Sequence, residues 1–154
     1  TDDVLRILKK GYNMRLVNQT LKDCHESGIY TAINIILGVP GETEDDIDAS
    51  IENLVSCKDY FDVVEGINTL VLGAGSMYYN DPEKYNIHFR DDKEEIYQNN
   101  PYCIHSDLWY SEEPYIDQEV RLKRLDKICS ELNSQGVNIG DVAGHTLKIL
   151  RKAS

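Results

Sequence analysis

The chain has 154 residues, 41% hydrophobic and 28% charged, enough for one folded unit with a core of its own. Sixteen basic residues stand against twenty-seven acidic ones, for a formal net charge of -11 spread along the chain, so a phosphate backbone would be repelled and no nucleic-acid partner is expected. No apolar run approaches the roughly 20 residues of a membrane-spanning helix, and no basic-apolar-small leader opens the sequence, so the expectation is a cytoplasmic protein with no membrane partner.

Thr1 is placed to cap a short helix carrying Val4, Leu5 and Leu8 and closed by Gly11. Asn13 caps a second helix, in which Val17, Leu21 and Cys24 recur at helical spacing and Gly28 supplies the left-handed stop. Residues 30–37, "YTAINIIL", form a nearly continuous apolar run with β-branched members, the pattern of a strand covered on both faces, and favour a parallel sheet. Thr43 opens the next helix with an acid three residues on, as a capping box requires, and Ile47, Ile51, Leu54 and Val55 make its buried stripe. A second buried strand is predicted over 62–72, "DVVEGINTLVL", which completes a right-handed βαβ unit.

Residues 73–115 are rich in Gly, Asn, Asp, Pro and Tyr and predict mostly loop with one short strand. A long helix over 117–135 carries Leu122, Leu125, Ile128, Cys129 and Leu132 and stops at Gly136, and a weaker helix is predicted over 141–152. Two parallel strands need covering on both faces and are marginal alone. Either the strands pair with a second copy of the chain, or they belong to a larger sheet. The start at Thr1 without an initiator Met suggests an excised piece or a processed product.

The four cysteines, Cys24, Cys57, Cys103 and Cys129, lie apart with no metal-ligand spacing, and Cys24 and Cys129 fall in apolar stripes as small buried thiols. The turn after the first strand, Gly38-Val39-Pro40-Gly41-Glu42-Thr43, leads into a helix N-terminus, the usual place for a phosphate, but Glu42, Glu44, Asp45, Asp46 and Asp48 already crowd that positive end and no P-loop lysine is present. On local physics this is a turn followed by a capped helix; Glu42 either contacts a cofactor or substrate or has the structural role favoured here, bonding near the turn or complementing the helix dipole. Asn34 either points into a barrel lumen or bonds a neighbouring backbone. Cys103 and His105 lie two apart, too few ligands for a metal, while His25 and His88 read as packing or surface residues. Tyr78, Tyr79, Tyr85 and Tyr102 either line a substrate mouth or pack among themselves.

Taken together, "KGYN" at 10–13, the run "LKDCHESGIYTAINIILGVPGETEDDIDASIENL", and "INTLVLGAGSMYYNDPEKYNIHF" resemble the C-terminal half of the barrel of radical S-adenosylmethionine enzymes, in the branch that often carries a cobalamin-binding domain. The segment "LWYSEEPY" with "RLKRL", within 108–125, is similar to that family's C-terminal extension. The likeness covers most of residues 4–130. It implies a partial (β/α) barrel: residues 1–75 as its C-terminal part, and 76–154 as a loop-rich and helical extension. The cofactors implied for the whole enzyme are S-adenosylmethionine and a [4Fe–4S] cluster, with cobalamin left open by the branch. The family's C-x-x-x-C-x-x-C cluster loop is absent from this chain, so no metal ligand and no catalytic residue is assigned, and the chain is not expected to be catalytic alone. By the resemblance, the main chain around Ile36, Leu37, Gly38 and Val39 packs on adenine, and Leu72 and Gly73 close that pocket. The implied partner is the remainder of the barrel, with a homodimer through the apolar strand edge when the chain is alone. The rival reading is a non-catalytic acidic α/β interaction domain that binds a partner through the Tyr-rich loop 78–115.

Overall fold

The computed structural model describes residues 1–140; the helix expected over 141–152 lies outside the described residues. The chain is mixed α/β. Its first helices are α1 (Asp2–Ile7) and α2 (Met14–Glu26). Thr1 Oγ accepts the Val4 N–H and Asn13 Oδ1 accepts the Leu16 N–H, so both caps fall where short polar side chains were placed by sequence. α1 ends earlier than expected, at Ile7, because Lys9 already turns left-handed, with φ 54. Gly28, with φ 70, ends α2 as predicted.

Strand β1 (Ala32–Leu37) and strand β2 (Val63–Thr69) form a two-stranded parallel sheet, with helix α3 (Glu44–Ser56) between them in sequence. The Thr43 capping box is complete: Thr43 Oγ accepts the Asp46 N–H at 3.2 Å, and the Asp46 carboxylate accepts the Thr43 N–H at 3.0 Å. Burial opposes the charge on Asp46, but hydrogen bonds from Thr1 and Thr43 outweigh it and hold the carboxyl below its ordinary value.

Two expectations fail here. β1 is not covered on both faces: Ala32, Asn34 and Ile36 are exposed while Ile33 and Ile35 are half-buried, because a two-stranded sheet finds a cover for only one side. The strand predicted to run through 72 also stops at Thr69, and Leu72–Gly73 forms a separate strand, β3.

Residues 73–115 hold more structure than a loop with one short strand. After β3 come helix α4 (Met77–Asn80), strand β4 (Ile87–Phe89), helix α5 (Lys93–Asn99), strand β5 (Cys103–Ile104) and strand β6 (Trp109–Ser111). β3 pairs antiparallel with β5, Leu72 opposite Ile104, and β4 pairs antiparallel with β6, Phe89 opposite Trp109. Strands of two or three residues carry no readable alternation, so only pairing with a distant segment defines them. The helices are set locally, by Ser76 Oγ accepting from Tyr79 N–H and Asp92 Oδ1 from Glu95 N–H. Helix α6 (Gln118–Ser134) follows, and Gly136 with φ 71 stops it.

By contact the described residues fall into two compact units interleaved in sequence. The first comprises 1–35, 43–68 and 125 onward, the second 36–42 and 69–124. In the first unit, Ile47, Ile51 and Leu54 of α3, Val63, Val64 and Ile67 of β2, and Leu125, Ile128 and Leu132 of α6 are buried. Val64 also pairs in parallel with Ile139: its N–H donates to Asn138 O and its carbonyl accepts from Gly140 N–H, both at 2.9 Å. In the second unit, Leu37, Val39, Leu72, Ile104, Trp109 and Ile116 are all within 1% of full burial.

Candidate functional site

The residues the resemblance singles out, Ile36, Leu37, Gly38, Val39, Leu72 and Gly73, all fall in the second unit. Gly38 holds φ 75, and its N–H donates to Glu42 Oε2 at 2.7 Å. Glu42 N–H returns a 2.9 Å bond to Val39 O, so the Pro-Gly turn closes on its own carboxylate. Glu42 is only 3% exposed, and Arg124 Nη1 bonds the same Oε2 at 3.0 Å. The anion that a strand-to-helix turn would offer to bind is therefore supplied by the chain itself. Leu70 N–H donates to Leu37 O at 2.8 Å, bringing the segment before β3 against the end of β1.

Much of this main chain is consequently occupied: Leu37 O, Gly38 N–H, Val39 O and Gly73 O, which accepts from Ser76 N–H, all bond within the unit. The side chains of Leu37, Val39 and Leu72 are buried. What faces outward is Ile36, 42% exposed, and Gly73, beside which an added Cβ would meet no heavy atom within 4 Å. An apolar side chain and an open glycine surface suit the flat face of a neutral heteroaromatic ring and offer nothing to a phosphate. No group of three or more His, Cys, Asp or Glu among the described residues is placed to hold a metal.

Sequence reasoning missed the arginines. Arg121 is fully buried and Arg124 nearly so, at 4%. Arg121 Nη1 donates to Ser106 O at 2.9 Å and Trp109 O at 3.0 Å, and its guanidinium carbon stands 3.7 Å from the centre of the Trp109 ring. Burial pushes the guanidinium down to about 10, with the Asp117 charge opposing the fall. A Cβ on Gly38 would lie 2.5 Å from Arg121 Cγ and 2.8 Å from Nε, so glycine is needed there for room as well as for its positive φ. One signal was present in the sequence: Arg121 lies four residues before Leu125 and so continues the apolar stripe of α6.

The other candidates resolve individually. Asn34 and Asn68 are exposed beside Gly66, where an added Cβ would meet Asn34 Oδ1 at 2.6 Å and Asn68 Nδ2 at 3.0 Å. Cys103 Sγ stands 3.9 Å from His105 Nε2 with no third ligand joining them among the described residues. His25 packs edge-on against Tyr60, and His88 stacks on Tyr110. Tyr78 packs on Tyr85 and Tyr79 on Tyr97, so these rings form a packed cluster, while Tyr102 is 85% exposed. No helix among the described residues is long and apolar enough to cross a membrane. No protein-family model matches the chain, and no curated protein or solved structure matches it.

Proposed function

We propose that this chain is the C-terminal part of the barrel of a cytoplasmic radical S-adenosylmethionine enzyme, supplying the adenine side of the cofactor pocket and not catalytic alone. The observation that carries the reading is the parallel progression β1–α3–β2, continued beyond α6 by the parallel bridge from Val64 to Ile139. Successive parallel strands joined by helices are how a (β/α) barrel is built, and ligands bind such barrels at the strand ends. The exposed Asn34 and Asn68, whose side chains meet over buried Gly66, support it too, since polar groups on an uncovered face of a parallel sheet are what a barrel lumen would enclose. S-adenosylmethionine bound to a cluster supplies a 5′-deoxyadenosyl radical. In this reading the residues of this chain only hold the adenine, through Ile36 and the surface of Gly73 backed by the Glu42-closed turn. The cluster ligands come from the remainder of the barrel, and a cobalamin domain is compatible with the branch.

Low-temperature electron paramagnetic resonance of the anaerobically purified parent protein, reduced with and without S-adenosylmethionine, tests this. A [4Fe–4S]⁺ signal that changes with the cofactor supports the reading; an iron-free protein, or a cluster indifferent to the cofactor, overturns it. The isolated chain is expected to dimerise through its open sheet, and a monodisperse monomer by light scattering counts against that. The exposure of Tyr102 favours the second reading, a partner-binding acidic domain, which an iron-free parent would leave in front.

A further inference from the structure

The second unit leaves buried hydrogen-bonding groups unmatched in one place. Arg121 is 0% exposed and uses Nη1 alone; its Nε–H and both Nη2 protons have no partner. The Trp109 Nε1–H under its guanidinium and the Ser111 hydroxyl on the same face of β6 are also buried without partners, and the Gln118 Oε1 acceptor one helical turn before Arg121 bonds none of them. Native interiors hold few such groups, and a buried charged donor left unmade is the costliest kind.

The edge left open has a defined shape. Nε–H and one Nη2–H of a guanidinium run parallel, and together they match the two oxygens of a carboxylate. Arg124 is bonded to Glu42 and Arg90 to Asp117 at 3.3 Å; both carboxylates favour the Arg121 charge from a distance, but neither bonds its Nε/Nη2 edge. The Trp109 ring on one face and the close approach of Gly38 along the stem favour a flat group over a tetrahedral one.

We propose that the Nε/Nη2 edge of Arg121, beside Trp109 and Ser111, is a buried binding site for the carboxylate of a small-molecule ligand. This site adjoins the turn at Gly38 and does not depend on the radical-enzyme reading.

The probe is formate, small enough for a buried site, added to the full chain while the arginine Nε–H and tryptophan Nε1–H resonances are followed by ¹H–¹⁵N NMR. Arg121 Nε–H is assigned from its proximity to the Trp109 indole, which requires no variant. The expected result is a saturable downfield movement of Arg121 Nε–H with formate, and none with chloride or phosphate at equal ionic strength. In Arg121→Lys, which keeps the charge but lacks the fork, the saturable response of Trp109 Nε1–H should weaken by about tenfold or more, the equivalent of one lost hydrogen bond. Absence of a saturable movement in the unmodified chain overturns the proposal. An equal response to phosphate or chloride also overturns it, because either would mean unspecific anion attraction.

Discussion

Replacing Gly38 by alanine perturbs two things at once, and their sum can be worked out. The position holds φ 75, which costs a residue with a Cβ about 1–2 kcal/mol. The new methyl would also stand 2.5 Å from Arg121 Cγ and 2.8 Å from Cδ and Nε, and relieving such overpacking in a filled interior costs about 1–3 kcal/mol. Arg121 has little freedom to retreat, since Nη1 is held by two carbonyls and the guanidinium by the Trp109 ring. Gly38→Ala should therefore destabilise by about 2–5 kcal/mol, which for a chain of this size lowers the midpoint of thermal unfolding by about 4–20 °C. Gly75→Ala is the control: its φ of 82 is equally unfavourable, but an added Cβ meets nothing within 4 Å, so only the conformational cost of about 1–2 kcal/mol applies. Paired thermal melts by circular dichroism decide the matter. If the two variants melt together, the Gly38–Arg121 contact contributes nothing and the packing account is refuted.

Glu42→Ala should cost about 3–5 kcal/mol in urea unfolding, because it leaves Arg124 buried without the Oε2 that it bonds, and a loss below about 1 kcal/mol would contradict the buried pair. Thr43→Ala removes one half of the capping box and should cost about 0.5–2 kcal/mol. Asp46 has a lowered pKa, so its contribution is present at neutral pH and is lost as pH falls below its ordinary value of 3.8. Asp46→Asn should flatten the acid limb of stability against pH, and an unchanged limb would refute this. Tyr78 is pushed up to about 12 by burial and by neighbouring Tyr85. Its contribution is complete below the ordinary value of 10.0 and lost as pH rises through 12, so ultraviolet titration should show an ionisation near 12 that Tyr78→Phe removes, beside the smaller upward shifts of Tyr97 and Tyr115.

Thr1, Asn13, Thr43, Gly28 and Gly136 did by sequence what they do in the fold, because a cap or a left-handed stop involves atoms only a few residues apart. The apolar runs and stripes likewise placed β1, β2, α3 and α6, and with them the parallel α/β order, since periodicity is a property of the chain alone. Other features were decided only by tertiary structure. Glu42 and Arg124 are 82 positions apart, and only folding makes them a buried pair. The two- and three-residue strands β3 to β6 exist by virtue of their partners, and the open face of β1 looks from sequence like any covered strand. Arg121 gave its position away but not its state: the apolar stripe marks which side of α6 turns inward, while the bonds a buried guanidinium finds, and those it lacks, depend on what the rest of the chain brings to it.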